Sequence, residues 1–426
     1  MVPDLAIDVY APRVIDELLE EKLSYAGAVV IRGPKWCGKT EAALQKARSA
    51  VMMQDPDTRQ SNLLLADTKP SRLLQGEKPR LIDEWQEAPQ LWDAVRFAVD
   101  REKLTGGYIL TGSATPAEKG RHSGTGRFTF LDMLPMSLHE SDDSTGEVSL
   151  AALFAGDGEI DGYAQTDVED IAYLVCRGGW PMAALSDRGP LSLEMAYDYV
   201  SVIAEEDISR ADGVDRNAQY ARLIMAEYAR CTASQAAQTT LRKDLKARGT
   251  ELSRDTVDSY IATLRKLYVI QDLSAWAPSL HAKSRITKSP TRHFADPSIA
   301  AAALKASPES LMRDMSTLGL LFESLCVRDL RVYAQALKGE VFHYRDESGL
   351  EADAVVALRD GRYALFEMKM GASLIDAGAA NLLKISEKIN AGVMGEPSCC
   401  VVLTPGGYAY RRNDGVYVVP ITCLKP

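Results

Sequence analysis

The N-terminal third of the chain alternates between apolar runs and segments with helical periodicity. Before the first run, residues 10–21 place apolar side chains on one helical stripe. Four apolar runs then predict buried strands, at residues 28–31, 50–53, 79–84 and 108–113. Amphipathic segments separate these runs. Because strands joined by helices usually pair in parallel, the pattern predicts an α/β fold with a mostly parallel sheet covered on both faces.

Residues 223–273 show three consecutive helical patterns. The last begins at Ser253, a residue type favoured at helix N-caps, and runs into a short strand. A winged helix-turn-helix is predicted from this order. The exposed positions expected to contact phosphates and bases are Arg254, Thr256, Ser259 and Thr263. A spacer that packs against other parts of the protein is the alternative.

From residue 296 onward the pattern predicts a second α/β domain. The predicted elements are a helix over residues 308–337, strands over 341–346, 350–360 and 363–370, a helix over 373–389, and strands over 399–403 and 415–420. This order of helix, three strands, helix and strand resembles the restriction-endonuclease-like fold, PD-(D/E)xK.

Composition indicates a soluble, globular protein of two to four domains, since 46% of its 426 residues are hydrophobic and 25% are charged. The N-terminus lacks a basic region followed by an apolar core, and no apolar run approaches the length of a membrane span. A cytoplasmic location is therefore expected. The 7 cysteines are scattered without C-x-x-C spacing, which favours reduced, mostly buried thiols over disulfides or zinc.

Charge is distributed unevenly around the net value of −10. Residues 141–176 contain no Lys or Arg, and residues 141–171 are expected to be a surface insertion or linker with a partial helix at 150–154. Residues 230–292 contain 12 Lys and Arg against 5 Asp and Glu. This basic stretch is where a polyanion such as DNA would bind.

The pattern G-x-x-x-x-G-K-T lies between the first strand and the next helix. The residues predicted to bind nucleotide are Gly33, Pro34, Lys35, Trp36, Cys37, Gly38, Lys39, Thr40 and the following Glu41. Gly33 and Gly38 permit positive φ, so backbone N–H groups can point at phosphate. Lys39 is expected to reach the β- and γ-phosphates, and Thr40 to bind the magnesium ion of Mg-ATP. A small-molecule kinase uses the same loop but does not account for the rest of the chain.

Two carboxylates, Asp83 and Glu84, end the third predicted strand at the edge where α/β sheets bind ligands. Asp83 could hold the magnesium ion through water, and Glu84 could polarise the attacking water. A plain strand end is the alternative in isolation, but the P-loop 43 positions earlier favours a site. Thr111 and Ser113 form the polar end of the fourth strand, where a hydroxyl could contact the γ-phosphate or the water, or could cap the next turn.

The C-terminal domain carries a second group of candidate residues. Glu367 and Lys369 are two apart on one strand and therefore share a face, and Asp353 lies on the adjacent predicted strand. Asp353 and Glu367 could bind magnesium while Lys369 orients water. Glu323 could be a third carboxylate, with Gly319 allowing close approach. Both an active nuclease and an inactive binding module remain open.

Several stretches resemble bacterial AAA-type ATPases with a C-terminal domain of unknown function, DUF4143, of the restriction-endonuclease-like type. They are YAPRVIDELL, LIDEWQEAPQLW, YILTGSATP, HSGTGRFTFLDMLPMSLHE and GGWP. The resemblance implies that Ser113 is a sensor and that Arg127 is a candidate γ-phosphate-facing arginine, although a structural role for Arg127, at the start of the strand FTFLDM, is favoured over that one. Ala352 replaces the Pro of the nuclease motif.

The implied architecture is multidomain. Its predicted parts are an AAA-type core at residues 1–135, an acidic insertion and helical lid at 136–220, a winged-helix-like domain at 221–295 and a nuclease-like domain at 296–426. The expected function is Mg²⁺-dependent ATP hydrolysis coupled to a DNA-engaging C-terminal half. The alternative is a nucleotide-dependent switch or scaffold that binds a protein partner, with an inactive nuclease-like domain.

Overall fold

The structure is a computed structural model that describes residues 10–113, 124–156, 159–277, 289–390 and 395–426. Parts of the YILTGSATP and HSGTGRF motifs lie outside these residues, as do three residues of the basic stretch, Lys283, Arg285 and Lys288. The described residues belong to two compact units. The first comprises residues 1–135, 209–215 and 266–268, and the second comprises residues 136–208, 216–265 and 269–426.

Helices and strands occur throughout both units. The α-helices are Ile15–Tyr25, Lys39–Leu44, Arg59–Thr68, Leu91–Glu102, Leu150–Ala155, Val168–Arg177, Pro181–Ala184, Pro190–Val202, Ile208–Arg210, Ala218–Arg230, Gln238–Ala247, Arg254–Lys266, Pro297–Ala303, Pro308–Arg313, Met315–Ala336 and Ile375–Asn390. The strands are β1 Ala28–Arg32, β2 Ser49–Met52, β3 Arg80–Asp83, β4 Tyr108–Gly112, β5 Phe128–Asp132, β6 Val148–Ser149, β7 Gly162–Ala164, β8 Gly339–Arg345, β9 Glu351–Leu358, β10 Tyr363–Met368, β11 Cys399–Thr404, β12 Gly407–Arg411, β13 Tyr417–Pro420 and β14 Leu424–Lys425.

The first unit is built on a five-stranded sheet in the order β2-β3-β4-β1-β5. Every pair in it is parallel. Successive residues of β1 enter different apolar clusters, with Val30 packed on one face and Val29 and Ile31 on the other. The prediction of a parallel sheet covered on both faces is therefore confirmed. The carboxyl ends of β1, β3 and β4 lie side by side at one edge.

The second unit contains a seven-stranded mixed sheet in the order β7-β12-β13-β11-β10-β9-β8. The helix Met315–Ala336 packs on β8, β9 and β10, and the helix Ile375–Asn390 packs on β9, β10 and β11. The predicted order of helix, three strands, helix and strand is present. The single helix expected over residues 308–337 is instead two helices, because Asp314 interrupts it and its Oδ1 accepts a hydrogen bond from the backbone N–H of Thr317 at 3.1 Å.

The acidic stretch differs from the expected surface insertion. Its predicted helix is present as Leu150–Ala155, but the stretch also supplies β6, which pairs with β14, and β7, which pairs with β12 at the edge of the seven-stranded sheet. Strands of two and three residues are too short to leave a periodic pattern in the sequence. These acidic residues therefore belong to the body of the second unit.

Three helices occupy residues 218–266, as the periodicity predicts. The hydroxyl of Ser253 accepts a hydrogen bond from the backbone N–H of Thr256 at 3.0 Å, so Ser253 is the predicted N-cap. Thr263 was expected to be exposed but is 1% exposed. Its hydroxyl donates to the carbonyl of Ser259 at 3.0 Å, and this bond lets the side chain lie among the apolar residues of the helix.

Two predictions drawn from composition can also be compared with the structure. All cysteines are buried and unpaired, as expected for reduced thiols. No described helix combines the length and the apolar character that crossing a bilayer requires.

Candidate functional site

The P-loop follows β1 and begins the helix Lys39–Leu44. A side chain on Gly33 would place its Cβ 2.0 Å from the carbonyl oxygen of Met133, so this position has room only for glycine. Gly38 has φ of 97°, and Trp36 is a non-glycine residue with φ of 64°. Positive φ is therefore confirmed at Gly38 but not at Gly33, and the second left-handed residue of the loop is Trp36, whose side chain is exposed.

Lys39 lies within this loop. It is 5% exposed, and its Nζ donates a hydrogen bond to the carbonyl of Pro34 at 2.7 Å. The thiol of Cys37 is buried, while Lys35 and Thr40 are partly exposed. Burial, and next the charge of Asp83, raise the pKa of Glu41 in the first turn of the helix. All members of the predicted loop are thus present at one sheet edge.

Asp83 is held by hydroxyl groups from two different elements. Its Oδ1 accepts hydrogen bonds from Thr40 Oγ1 at 2.7 Å and from Thr111 Oγ1 at 2.6 Å. Thr40 comes from the P-loop helix and Thr111 from β4, which pairs with β3. The structure therefore brings the two predicted magnesium ligands, Thr40 and Asp83, into direct contact.

Glu84 has a left-handed backbone, with φ of 51° and ψ of 48°. This region is uncommon for a residue with a side chain and typically costs about 1 to 3 kcal/mol. The backbone N–H of Glu84 donates to Thr111 Oγ1 at 3.3 Å. Its Oε2 accepts from Ser113 Oγ at 3.0 Å and from Gln86 Nε2. Ser113 thus contacts the predicted water-polarising residue, and the turn is fixed at both backbone and side chain.

The donor groups at this edge suit Mg²⁺. Thr40 and Asp83 offer oxygen atoms only, and magnesium in nucleotide sites binds one or two protein oxygens and completes its shell with water and phosphate. Their hydroxyl and carboxylate lie 2.7 Å apart, so one ion could contact both. Oxygen chemistry and proximity at the phosphate-facing edge therefore fit the predicted metal.

Arg127 does not lie at this edge. It precedes β5, and its carbonyl accepts a hydrogen bond from the N–H of Ala28 at the start of β1. Because β1 and β5 are parallel, Arg127 is about 15 Å from the end of β1, where the P-loop begins. Its side chain instead donates to Asp100 Oδ1 at 2.7 Å. The expectation that Arg127 faces the γ-phosphate is therefore wrong within this unit.

The second group of predicted residues converges in the seven-stranded sheet. Lys369 Nζ contacts Glu367 Oε2 and lies 3.8 Å from Asp353 Oδ2. The backbone N–H of Met368 donates to Asp353 Oδ2 at 2.8 Å, and Asn381 Nδ2 donates to Glu367 Oε1. The cluster of Glu323, Asp353, Glu367 and Lys369 is called the acid–lysine cluster below.

Burial and mutual repulsion set the pKa values in the acid–lysine cluster. Burial, and next Asp353, raise the pKa of Glu367 to about 7. The same causes raise the pKa of Glu323 well above its ordinary value. Burial opposes the charge on Lys369, but Asp353 and Glu367 outweigh it and raise the pKa of Lys369. Asp353 and Glu367 therefore stabilise the positive charge of Lys369.

The acid–lysine cluster does not form a metal site as it stands. Within the described ranges, no three His, Cys, Asp or Glu side chains are arranged to hold a metal ion. The ammonium group of Lys369 lies within ion-pair distance of both Asp353 and Glu367. A Cβ on Gly319 would meet only Met370, at 3.9 Å, so the expected close approach at this glycine is wrong.

Several cations of the basic stretch lie in ion pairs. Six of its described Lys and Arg residues lie within salt-bridge distance of a carboxylate: Arg230, Lys246, Arg248, Arg254, Arg265 and Arg292. Glu251, Asp258 and Asp272 are already subtracted in the charge count of residues 230–292, so only Glu227, which lies outside that range and pairs with Arg230 and Arg248, lowers the positive charge of the segment further.

Comparison with known proteins identifies three matched segments. Residues 26–141 match an AAA domain. This match covers the P-loop, β3 and β4, and it supports a nucleotide-binding P-loop ATPase in the first unit. Residues 168–310 match a domain of unknown function, DUF8612, and residues 318–424 match another, DUF4143. The predicted DUF4143 segment is thus confirmed.

Full-length relatives are also found. The chain is 23% identical over 416 residues to an uncharacterized protein of Mycobacterium tuberculosis and to one of Mycobacterium bovis, covering 94% of this chain and 82% of each relative. A Walker-type ATPase of Pyrococcus abyssi is similar in structure, with a TM-score of 0.40 and 15% identity over 70% of this chain and 96% of that chain.

Two residues that support this site, Arg13 and Gln86, escaped the sequence-based prediction. Arg13 is 7% exposed and donates to the carbonyls of Cys37 at 2.8 Å and Leu134 at 2.9 Å, so it braces the P-loop. Thr111 binds Asp83, and Gln86 binds Glu84. Thr111 was expected beside the site from its position at the polar end of the fourth strand, whereas the sequence gives no signal for Arg13 and Gln86 because their contacts depend on the fold.

Proposed function

We propose that the first unit binds ATP with Mg²⁺ at the carboxyl edge of its parallel sheet and hydrolyses the terminal phosphate. The observation that carries this proposal is the contact between Thr40 and Asp83 at 2.7 Å, with Glu84 next to it. These residues come from separate elements and supply the hydroxyl, the carboxylate and the water-polarising group that this reaction needs. A strand end without a function would not require Thr40, Asp83 and Glu84 to lie together.

The chain's own residues would act as follows. Lys39 would exchange the carbonyl of Pro34 for the β- and γ-phosphates, and backbone N–H groups of the loop would bind phosphate oxygens. Thr40 and Asp83 would hold Mg²⁺, whose chemistry when bound is to neutralise charge on those oxygens. Glu84 would accept a hydrogen bond from water as the water oxygen bonds to the γ-phosphorus. The bond from that phosphorus to the β–γ bridging oxygen breaks, and the proton leaves to solvent, giving ADP and phosphate.

Two substitutions test this assignment. Lys39→Ala is expected to abolish nucleotide binding, and Glu84→Gln is expected to keep binding but remove turnover. The measurements are binding of a fluorescent ATP analogue and release of phosphate. Lys69→Ala, which removes an exposed ammonium far along the sequence from the loop, is the matched control. Normal turnover by both the Lys39 and the Glu84 variants would contradict the proposal.

A second candidate function concerns the second unit. The meeting of Asp353, Glu367 and Lys369 in the acid–lysine cluster favours a domain of the restriction-endonuclease-like type that engages DNA, with ATP turnover altering that engagement. The alternative is a nucleotide-dependent switch that binds a protein partner through an inactive domain of this type. Lys369 contacts Glu367 and lies within ion-pair distance of Asp353, and the proposal routes no step through a metal at this cluster.

DNA binding and cleavage separate these two alternatives. The full chain would be incubated with plasmid, linear and single-stranded DNA in Mg²⁺ or Mn²⁺. Salt-sensitive retention of DNA that weakens in Lys369→Ala supports the DNA-engaging function, and cutting that disappears in Asp353→Ala adds nuclease activity to it. If the chain neither cuts DNA nor retains it in a salt-sensitive way, the result supports the protein-binding switch.

A further inference from the structure

Gln86 lies in the short turn Trp85–Glu87 that follows Asp83 and Glu84. Its Nε2 donates to Glu84 Oε2, and it lies 3.4 Å from Ser113 Oγ. The hydroxyl of Ser113 donates to the same Glu84 oxygen at 3.0 Å. Two neutral groups, the amide of Gln86 and the hydroxyl of Ser113, therefore donate to the same oxygen of Glu84 and lie within hydrogen-bond distance of each other.

The carboxylate of Glu84 determines the orientation of this amide. Gln86 Oε1 is buried and has no hydrogen-bond partner in the part of the chain that the structure describes. A buried oxygen left in this way typically costs about 1 to 3 kcal/mol. Rotating the amide by half a turn would place Oε1 against the Glu84 carboxylate, and two acceptors would then face each other. The contact with Glu84 thus outweighs the cost at Oε1.

Gly112 gives the amide its space. A Cβ on this last residue of β4 would lie 2.9 Å from Gln86 Oε1 and 3.0 Å from Trp85 Nε1. Because real Cβ atoms make such contacts only rarely, any side chain here would push the ends of Gln86 and Trp85 away. The end of β4 is therefore shaped to admit Gln86 beside Glu84.

We infer that Gln86 is a positioning residue for hydrolysis, fixing Glu84 so that its second oxygen accepts a hydrogen bond from the attacking water. This inference rests on the proposed ATPase function. Glu84 Oε2 is occupied by Ser113 and Gln86, whereas none of the described residues donates a hydrogen bond to Oε1. The left-handed backbone of Glu84 fixes the direction in which the side chain leaves the strand. A carboxylate oriented in advance needs no reorganisation when the water attacks.

Gln86→Leu in the full chain tests the inference, because it keeps the size of the side chain and removes the amide. We expect kcat to fall about 10- to 100-fold, the effect of losing one hydrogen bond to a charged group. KM and the affinity for a non-hydrolysable ATP analogue should stay within about twofold, since Gln86 does not contact the P-loop residues. Gln90→Ala is the matched control, because Gln90 Nε2 donates at 2.6 Å to the exposed carboxylate of Asp67.

Gly112→Ala provides an independent variant that displaces Gln86 without changing it. It should lower kcat in the same direction, and combining it with Gln86→Leu should cause no further loss, because both act through the same contact. Multiplying losses in the double variant, or a loss of analogue affinity or melting temperature that matches the loss of kcat, would indicate a merely structural role and overturn the inference.

The outcomes separate this inference from the proposed function. If Lys39→Ala and Glu84→Gln abolish turnover while Gln86→Leu behaves like Gln90→Ala, the ATPase function stands and the role of Gln86 is refuted. If the unaltered chain does not hydrolyse ATP, both fail together. Reduced kcat with retained analogue binding in Gln86→Leu supports the inference.

Discussion

The carboxylates at the edge of the five-stranded sheet and those of the acid–lysine cluster are held by different kinds of donor. Within the described ranges, Asp83 and Glu84 accept side-chain hydrogen bonds from hydroxyl and amide groups only. Glu367, by contrast, contacts the ammonium group of Lys369. The lysine of the P-loop in the first unit, Lys39, donates to the backbone carbonyl of Pro34 instead of to a carboxylate.

This difference determines what each site can attract. A neutral donor orients a carboxylate but leaves its negative charge in place, so Asp83 and Glu84 can still bind a cation. An ammonium group cancels that charge and, inside a protein, stabilises the carboxylates that surround it. The edge of the first unit thus keeps the negative charge that the proposed Mg²⁺ site needs, while in the acid–lysine cluster Lys369 already offsets part of the carboxylate charge.

Removing the charge of Asp83 is expected to have the largest effect. Asp83→Asn keeps the shape and an acceptor for Thr40 and Thr111 but loses the negative charge, so turnover should fall at least about 100-fold and need more Mg²⁺. The measurement is phosphate release across a magnesium titration. Asp67→Asn, at an exposed carboxylate bonded to Gln90, is the control. Unchanged turnover in Asp83→Asn would show that charge at this edge is unimportant and would remove the contrast between the two sites.

Removing the ammonium group tests the other side of the comparison. Lys369→Met leaves Asp353 and Glu367 without their counter-charge, so the second unit should lose about 3 to 5 kcal/mol at pH 8. Calorimetric unfolding would measure this loss. Adding Glu367→Gln to the variant should restore most of it. Lys39→Met should cost only about 1 kcal/mol, because no carboxylate depends on Lys39. Equal losses in the two lysine variants would contradict the comparison.

The groups at the sheet edge of the first unit differ in how far the sequence predicts them. The P-loop is a local motif, so the spacing of Gly33, Gly38, Lys39 and Thr40 is enough to place all of its groups. The contacts of Asp83 with Thr40 and of Glu84 with Ser113 needed only the assumption that parallel strands end at one edge. The partners Thr111 and Gln86 required knowledge of which strands are neighbours and where each side chain points.

The errors have related causes. Arg127 was a candidate for facing the phosphate by resemblance alone, beside the structural role that was favoured, and strand direction places it at the opposite edge of the sheet. Thr263 is at the boundary of a helical stripe, where a periodic pattern cannot tell a buried hydroxyl from an exposed one. Residues 308–337 fit one continuous helical pattern. The break at Asp314 depends on a capping hydrogen bond from the backbone N–H of Thr317, three residues later, which the pattern does not reveal. Periodicity therefore predicts the longer helices and strands, whereas the short strands β6 and β7 and the exact ends and faces of the elements can be read only from the structure.

Stability should depend on pH through Glu367. Its pKa is raised from 4.5 to about 7 in the folded state. Between these values the folded chain binds more protons than the unfolded chain, so this contribution to stability is complete below about pH 4.5 and is lost as pH rises through about 7. Glu367→Gln lacks this dependence, and the difference from the unaltered chain should change by about 1 to 3 kcal/mol between pH 4.5 and pH 8. Parallel stability curves would show that Lys369 keeps Glu367 ionised throughout.

The smallest effect is expected for Arg127→Ala, and it sharpens the distinction between groups at the nucleotide edge and groups elsewhere in the first unit. Arg127 pairs with Asp100 while both side chains are about two-fifths exposed, with accessibilities of 44% and 37%. Such pairs contribute less than about 1 kcal/mol because water screens them. Within one chain the guanidinium cannot reach a phosphate bound beyond β1, since the parallel register places it at the other end of β5. Phosphate release by Arg127→Ala should therefore stay within about twofold of the unaltered chain. A loss as large as that of Asp83→Asn would mean that Arg127 serves the phosphate site of another copy of the chain, and a dependence of turnover on protein concentration would then accompany it.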